Sequence, residues 1–265
     1  MKRKILVVGA GGRMGRRIVS LAIEGGQFDI VGAVEIAGHP DIGADAGTLA
    51  GIGPINVEIS SVYPVGAEVV IDFSMPEAAE RTIDYCLENG AALVCGTTGL
   101  SDEQLGRIKS AAEKAPVIYG TNMSVGMNVL FALVSRAAEM LGDDYDIEIV
   151  EHHHRFKKDA PSGSALTLAE NICEATGRDY PGCITNGRSG KDALRKKGNI
   201  GIHAVRAGDI AGFHSVMLST LGETVTLGHN AHSRDGFARG ALRAAQWLIG
   251  KPPGQYTMPD VLGLK

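Results

Sequence analysis

The first half of the chain alternates short apolar runs with amphipathic helical patterns, and this alternation restricts the possible folds strongly. The apolar runs are typical of strands buried on both faces of a parallel sheet. The pattern predicts strands at Ile5–Val8, Ile30–Val34, Val69–Asp72, Ala92–Cys95 and Val117–Tyr119. It predicts helices between them at Met14–Glu24, Pro76–Asn89 and Ser101–Ala115. Because such crossovers are right-handed, we expect an α/β domain with a doubly wound parallel sheet.

The pattern changes after about residue 125, which indicates a second, smaller α+β domain. The remaining elements are predicted as a long apolar helix at Val125–Leu141, a strand at Asp146–Glu151, and helices at 164–175 and Gly236–Gly250. Three strand-like runs between Gly201 and His229 predict an open, mixed sheet. The polar, turn-rich segment Thr176–Asn199 is interpreted as a flexible loop.

Charge, cysteine spacing and the N-terminus exclude several classes of protein. A formal net charge of −4 argues against broad nucleic-acid binding, which needs a basic face. The cysteines show no C-x-x-C spacing, and we interpret them as buried free thiols in a reducing compartment: Cys86, Cys95, Cys173 and Cys183. The apolar run after the charged N-terminus is too short for a signal peptide or a membrane span. We therefore expect a cytoplasmic protein with no nucleic-acid or membrane partner.

A glycine-rich turn directly after the first strand, Gly9-Ala-Gly-Gly-Arg-Met-Gly15, leads into a helix. Glycines there let the backbone approach a pyrophosphate, and the helix N-terminus supplies N–H donors. The G-x-x-G-x-x-G spacing is a weak signal alone. Glu35, 20 residues beyond Gly15, strengthens it because a carboxylate there accepts hydrogen bonds from an adenosine ribose. We predict dinucleotide binding by Gly9, Ala10, Gly11, Gly12, Arg13, Met14 and Glu35.

Two further turns follow the fourth and fifth strands, at carboxyl ends where open α/β sheets bind ligands. We predict cofactor contacts there from Gly96, Thr97, Thr98, Gly120, Thr121, Asn122 and Met123, although small polar residues also serve as ordinary caps. Phe73 either packs near a nicotinamide or belongs to the core. Glu35 would repel a 2′-phosphate, and Ile36 offers no compensating charge. NADH should therefore be at least as good as NADPH, unless Arg13 reaches the phosphate.

The segment 151–164 places three consecutive histidines and two lysines in front of a predicted helix. Groups that titrate near neutrality, beside unpaired N–H groups that attract anions, indicate a site for an acidic small molecule. Metal binding by His152, His153 and His154 is disfavoured because adjacent residues rarely wrap one ion. Neighbours in a continuing strand face opposite sides, so His153 and His154 can both face one ligand only if the strand has ended there, which we assume. Lys158 is interpreted as solvated.

These motifs together resemble the dihydrodipicolinate reductase (4-hydroxy-tetrahydrodipicolinate reductase) family of lysine biosynthesis. The resemblance is carried by the glycine turn, Gly96-Thr-Thr-Gly99, Asn122-x-Ser-x-Gly126 and His153-His-Arg-x-Lys157-x-Asp-Ala-Pro-Ser-Gly163. It runs nearly end to end and includes the segments 206–214 and 256–264. The histidine segment is highly specific, whereas many unrelated dehydrogenases share the glycine turn. The chain departs from the family pattern at Ile36, where arginine often follows the acidic residue, and at Ser164, where threonine is common.

The resemblance implies a two-domain, NAD(P)H-dependent oxidoreductase of the diaminopimelate route, with hydride passing to C4 of a cyclic dicarboxylate as water is lost. Residues 1–124 and 235–265 would form a Rossmann-like dinucleotide-binding domain, and residues 125–234 a substrate-binding and oligomerisation domain. It implies His153 as general acid–base and Lys157 as proton donor. Substrate contacts would come from His154, Ser162, Gly163 and Ser164, the last two at a helix N-terminus that binds a carboxylate. The family is usually a homotetramer, and no metal is implied.

Two other classes remain open from the residues alone. Another nicotinamide enzyme, such as an aspartate or homoserine dehydrogenase, would explain the glycine turn equally well but not the segment from Lys157 to Gly163. A non-enzymatic nucleotide sensor would need a partner surface or a nucleic-acid module, which the acidic charge balance disfavours.

Overall fold

The computed structural model describes residues 1–264, and its contacts divide the chain into two compact units. The first unit comprises residues 1–125 and 234–265, and the second comprises residues 126–233. The chain thus leaves the first unit, forms the second and returns. The ligand that each unit binds stays a prediction at this point.

The first unit contains a parallel sheet whose strands alternate with helices. In chain order its elements are β1 (Arg3–Val8), α1 (Arg13–Glu24), β2 (Phe28–Val34), α2 (Ala46–Leu49), β3 (Ile59–Ser60), β4 (Val69–Asp72), α3 (Pro76–Asn89), β5 (Ala92–Cys95), α4 (Asp102–Ala112) and β6 (Pro116–Tyr119). The second unit follows with α5 (Val125–Leu141), β7 (Asp146–His153), α6 (Gly163–Thr176), β8 (Ile184–Asn186), β9 (Ile200–Arg206), β10 (Gly212–Thr220) and β11 (Glu223–Ala231). The chain then completes the first unit with α7 (Asp235–Leu248), β12 (Gly254–Tyr256) and α8 (Met258–Leu262).

All strand pairs of the seven-stranded sheet are parallel, in the order β12-β6-β5-β4-β1-β2-β3. The predicted doubly wound parallel sheet is therefore confirmed. The register pairs the last residues of neighbouring strands: Val8 with Val34 and Asp72, Asp72 with Cys95, and Cys95 with Tyr119. Consequently the turns that follow β1, β2, β4, β5 and β6 lie along one edge of the sheet.

Helices bury both faces of this sheet, which explains why its strands are apolar without alternation. One face packs with α1 and α7 in a core that includes Ile18, Val19, Ile71, Ala241 and Leu248. The other face packs with α3 and α4 around Leu6, Val70, Ile83, Leu93 and Ile108. Helix α4 begins with a capping box: the Ser101 side chain accepts from the Gln104 N–H, and the Gln104 side chain accepts from the Ser101 N–H.

The second unit is a five-stranded mixed sheet with helices on one face. Its strand order is β11-β10-β7-β9-β8; β10 pairs antiparallel with β11 and β7, while β7 and β8 pair parallel with β9. Inward side chains of the central strands, such as Ile147 and Ile149, pack against α5 and α6. The helices contribute Phe131, Leu168 and Ile172 to this core. Residues 125–144 are long and apolar enough to cross a membrane by length and composition alone. That is weak evidence, because the core helix of a soluble protein passes the same test.

The structure corrects three predictions in the second unit. The strand expected to stop at Glu151 continues to His153, because β10 pairs with His152 and β9 pairs with His153. The helix expected to start at residue 164 starts at Gly163, with Ser162 as its N-cap. The segment expected to be a loop contains the edge strand β8, whose residues pair with the start of β9.

Candidate active site

The glycine turn joins the end of β1 to the start of α1 and has the geometry that a dinucleotide needs. Gly9 has φ of +77°, and a Cβ there would lie 2.6 Å from the Phe73 carbonyl oxygen, so only glycine fits the turn. Gly12 is the N-cap of α1 and makes no side-chain cap, and the first turn of the helix carries no acidic residue. The first turn of the helix therefore adds no negative charge of its own to the positive end, which suits a pyrophosphate.

Glu35 follows the last residue of β2 and reaches back to the glycine turn. Its Oε1 accepts a hydrogen bond from the Gly11 N–H at 2.9 Å, so the predicted ribose partner and the predicted phosphate loop adjoin. Arg16 donates to the Gly11 carbonyl at 2.7 Å and to Asp41 Oδ2 at 2.7 Å. Of the other predicted residues here, Ala10 is buried, Met14 is half-buried and Arg13 is exposed. The turn, the uncapped helix and the adjacent carboxylate together fit a dinucleotide.

The turn after β5 is organised by a buried carboxylate at the end of β4. Asp72 is 1% exposed and accepts from the Thr97 hydroxyl at 2.9 Å and from both the N–H and hydroxyl of Ser74. The Phe73 ring packs so closely on Gly96 that a Cβ there would lie 2.3 Å from it. Phe73 thus packs against the core, while Thr98 is exposed.

The four residues predicted to contact a cofactor in the turn after β6 differ in their exposure to solvent. Gly120 and Asn122 are half-buried, Thr121 is exposed, and Asn122 accepts from the Ser124 N–H at 2.9 Å. Met123 is 1% exposed and belongs to the core. Its side chain is therefore committed to packing in the core. The register of the sheet brings the three turns and Glu35 to one edge.

In the second unit, His153 ends β7 and is held by a carboxylate two residues earlier. Its Nδ1 lies 2.6 Å from Glu151 Oε2, and its side chain is 12% exposed. Glu151 is fully buried and also accepts two hydrogen bonds from Arg206 at 2.8 Å. The His153 ring packs edge-on against His214 at 5.2 Å between centroids.

Lys157 and His154 lie in the loop that follows β7. Lys157 Nζ pairs with Asp159 Oδ1 at 2.8 Å, and its side chain is 23% exposed. His154 lies just beyond the strand, so the alternation of faces does not place it opposite His153. Its buried Nδ1 has no hydrogen-bond partner among residues 1–264, which marks it as a group that a ligand could satisfy. Lys158 is exposed, as expected.

The N-terminus of α6 presents the remaining predicted contacts. Ser162 is its N-cap: the hydroxyl accepts from the Ala165 N–H at 3.3 Å and contacts His214 Nε2 at 3.1 Å. The Ser162 N–H donates to Glu151 at 2.9 Å, so its polar groups already have protein partners. Gly163 and Ser164 are the first two residues of the helix, whose first turn has no acidic residue. Their position suits an anion.

Burial and charge act in opposite directions on the ionisable groups of this cluster. Burial, together with the charges of Lys157 and Arg206, lowers the pKa of His153 against the raising effect of Glu151. Burial alone would raise the pKa of Glu151, but hydrogen bonds from Arg206, His153 and Ser162 lower it overall. Glu151 is therefore ionised at neutral pH, and its negative charge is matched by Arg206.

Two family models together match almost the whole chain. The model described as dihydrodipicolinate reductase, N-terminus, matches residues 3–123, and that described as dihydrodipicolinate reductase, C-terminus, matches residues 126–262. The chain belongs to the dihydrodipicolinate reductase family. It is therefore an oxidoreductase that uses a nicotinamide cofactor and acts on a small molecule.

Members of the family match this chain from end to end. The 4-hydroxy-tetrahydrodipicolinate reductase of Syntrophus aciditrophicus is 46% identical and covers 99% of both chains. That of Anaeromyxobacter dehalogenans is 49% identical over 99% of this chain and 98% of its own. A dipicolinate-bound dihydrodipicolinate reductase from Paenisporosarcina sp. TG-14 has a TM-score of 0.74 at 23% identity and covers 97% and 98% of the two chains. The last comparison supports the fold.

Four residues of the site were not predicted from the sequence. Glu151, Arg206 and His214 surround His153, and Asp72 organises the turns near Phe73 and Thr97. One signal was available: Glu151 shares the inward face of β7 with Ile147 and Ile149, so a charge there must be buried and paired. Among residues 1–264, no group of three or more His, Cys, Asp or Glu side chains is arranged to hold a metal ion.

Proposed function

We propose that the chain reduces 4-hydroxy-tetrahydrodipicolinate to tetrahydrodipicolinate, with loss of water, in the diaminopimelate route to lysine. Relatives of matching length carry the name of that reductase. One observation in the chain carries the proposal. The buried carboxylate of Glu151 binds both Nδ1 of His153 and the N-cap residue of α6, whose first turn has no acidic residue. Lys157 lies in the loop that connects the two.

Charge complementarity supports binding of a dicarboxylate by the second unit. Gly163 and Ser164 would receive one carboxylate through their N–H groups, where the helix dipole favours negative charge. Lys157 would leave Asp159 for a carboxylate or a leaving oxygen, because a bound dianion offers a charge-assisted hydrogen bond. His154 would satisfy its buried Nδ1 on the same ligand. Ser162 would act mainly by holding the helix start.

Proton delivery is the second requirement of the reaction. A bound reduced nicotinamide supplies the hydride, and the reaction also consumes a proton and releases water. We assign His153 as the general acid–base residue and Lys157 as a proton donor. A dianion beside His153 acts on its pKa in the raising direction, as Glu151 does. Substrate binding therefore favours the protonated imidazole that the reaction needs.

The test is steady-state kinetics of His153→Gln, with His152→Gln as its control. His152 is the preceding residue, packs on Phe213 and has no proposed role. We expect His153→Gln to lower kcat by roughly 10²–10⁴ and to leave NADH affinity unchanged, while His152→Gln keeps most of the activity. Unchanged turnover in His153→Gln would refute the assignment. Oxidation of NADH with an amino-acid substrate instead would favour another dehydrogenase.

We propose that NADH serves at least as well as NADPH. Glu35 reaches the glycine turn and would repel a 2′-phosphate, and Ile36 is exposed and uncharged. Arg16, a cation beside the turn, is already paired with Asp41. Glu35→Ala should raise kcat/KM for NADPH relative to NADH. Asp29→Ala, near the opposite end of β2, should leave the ratio unchanged. A clear preference of the unchanged chain for NADPH would overturn the proposal.

We further propose a cytoplasmic homotetramer assembled through the sheet of the second unit, with no nucleic-acid or membrane partner. Helices α5 and α6 cover one face of that sheet. The opposite face carries Val150, Ser215 and Met217, which are only partly buried in the single chain. A partly apolar sheet face without a helix layer suits contact with a second copy.

A further inference from the structure

Glu151 accepts four hydrogen bonds from three different parts of the second unit, although its side chain is inaccessible to solvent. Oε2 accepts from His153 Nδ1 at 2.6 Å and from Arg206 Nη1 at 2.8 Å. Oε1 accepts from the Ser162 N–H at 2.9 Å and from Arg206 Nη2 at 2.8 Å. A carboxylate has about four acceptor sites, so this one is saturated.

We propose that Glu151 is the positioning residue of the reaction: it fixes the tautomer of His153 and holds it in register with the N-terminus of α6. The inference rests on the proposed role of His153 as general acid–base. The role of His153 alone does not involve Glu151, so the inference adds a residue to the site. It also makes the orientation of the His153 imidazole depend on one buried carboxylate.

The tautomer follows from the chemistry of the pair. An ionised carboxylate can only accept, so His153 must carry its hydrogen on Nδ1 at every pH at which Glu151 is charged. Nε2 is then the nitrogen that gains and loses the proton. Gly212 adjoins that nitrogen: a Cβ at Gly212 would lie only 3.3 Å from Nε2. The glycine leaves room beside the atom that must meet the substrate.

Arg206 allows a full negative charge to stay buried next to the imidazole. It binds both carboxylate oxygens and also donates to the Asp159 carbonyl at 2.6 Å, in the loop that carries Lys157. The charged and titratable groups around His153 are thus Glu151 on its own strand, Arg206 on β9, Lys157 in the loop and His214 on β10. Of these, Glu151 alone favours the protonated imidazole.

Ser162 connects Glu151 to the proposed substrate site at the start of α6. Its N–H binds the same carboxylate as His153, and it is the N-cap from which Gly163 and Ser164 follow. One carboxylate therefore sets the spacing between the proton donor and the groups proposed to receive a substrate carboxylate. Small errors in such spacing reduce rates strongly, because reacting atoms must meet at about 3–3.5 Å.

A merely structural ion pair would give different results, and the same strand supplies a control. Glu148 lies three residues earlier and likewise pairs with Arg188, Arg195 and a histidine, His203, at 2.6 Å. Because residues three apart in a strand face opposite sides, Glu148 does not share the inward face with Glu151. Glu148→Gln thus removes an equivalent network without touching His153.

The experiment compares Glu151→Gln, Glu148→Gln and His153→Gln by pH-dependent kinetics and by ¹⁵N NMR of histidine-labelled protein. His153→Gln assigns the His153 resonances by their loss. In the unchanged chain we expect the Nδ1–H tautomer for neutral His153. Glu151→Gln should mix the tautomers, lower kcat at least tenfold and move the alkaline limb of kcat/KM to lower pH, because the group that favours protonation is lost. NADH affinity should not change.

Glu148→Gln should leave the tautomer of His153, the alkaline limb of kcat/KM and the value of kcat unchanged. An Nε2–H tautomer in the unchanged chain would overturn the inference, and that measurement does not require Glu151→Gln to fold. The inference would also be overturned if Glu151→Gln kept the alkaline limb of kcat/KM at the pH of the unchanged chain. If instead His153→Gln retained full turnover while the Nδ1–H tautomer was present, the proposed role of His153 would fail and the geometry assigned to Glu151 would stand.

Discussion

His214 lies on the inward face of β10, between His153 and the cap of α6. It is 4% exposed, and burial together with the nearby His153 lowers its pKa to about 3. Its Nε2 contacts the Ser162 hydroxyl at 3.1 Å, so the neutral ring is part of the support for the helix start. A buried imidazole that resists protonation links the stability of this cluster to pH.

The linkage has a definite sign. Because the pKa of His214 is lower in the folded chain than the ordinary value of 6.5, its contribution to stability is complete above pH 6.5 and declines as pH falls towards 3. His214→Asn, which cannot be protonated, should flatten the dependence of the free energy of unfolding on pH between 6.5 and 5. The loss of slope should approach about 1.4 kcal/mol per pH unit.

Denaturant unfolding at fixed protein concentration and ionic strength measures this slope. Some slope should remain in the variant, because burial also lowers the pKa of His153 and of His229. An identical slope in the two proteins would mean that His214 is protonated without cost, contrary to the lowered pKa.

At the residue scale, the sequence indicated the groups that are proposed to contact a ligand better than the groups that hold them. Lys157, His154 and Gly163 could be predicted from a specific motif. The inward position of Glu151 indicates a buried charge, but its partners could not be predicted, because Arg206 and Ser162 are brought to it by the pairing of β7 with β9 and by the start of α6. Contacts distant in sequence carry that information.

Serine caps at the starts of α6 and α4 allow a matched test at the scale of elements. Ser162 caps α6 in the proposed substrate site, and Ser101 caps α4 in the other unit. Replacing either serine by alanine should lower stability by about 0.5–2 kcal/mol, because an N–H at the helix start loses its acceptor.

Only Ser162→Ala should raise KM for the substrate, because only that helix start is proposed to receive a substrate carboxylate. Denaturant unfolding and initial-rate kinetics on both variants measure the two effects separately. Equal KM values in Ser162→Ala and Ser101→Ala would argue against a substrate carboxylate at α6.

At the element scale, the elements with a clear local pattern were predicted well and the shortest strands were missed. The bounds of α3, α5, β4 and β5 match their prediction, because hydrophobic spacing and flanking residues such as Pro76 and Gly90 define them locally. The strands β3, β8 and β12 are two or three residues long. They exist because a neighbouring strand offers hydrogen bonds, which no local pattern reveals.

The proposed assembly is tested at the scale of the whole molecule. Sedimentation equilibrium should give four times the 27.7 kDa of a single chain. Met217→Lys places a charge on the face of the sheet away from α5 and α6 and should shift the assembly to smaller species. Leu221→Lys, a similar change at the fully exposed turn between β10 and β11, should leave the mass unchanged. A monomeric unchanged chain would refute the tetramer.

For the molecule as a whole, alternation of strands and helices sufficed to predict the parallel sheet, while the family resemblance, rather than the physics of any one residue, pointed to the substrate. The inserted sheet was predicted only in outline. Its strand order depends on the placement of β7 between β9 and β10, which are both distant in sequence.

The most direct test of the central claim is a crystal structure with NADH and pyridine-2,6-dicarboxylate, a planar mimic of the substrate. We expect one ligand carboxylate at about 2.7–3.2 Å from the N–H groups of Gly163 and Ser164. Lys157 should have left Asp159 for the ligand, and His153 Nε2 should face the ring. A dicarboxylate bound elsewhere, with His153 and Lys157 turned away from it, would contradict the account.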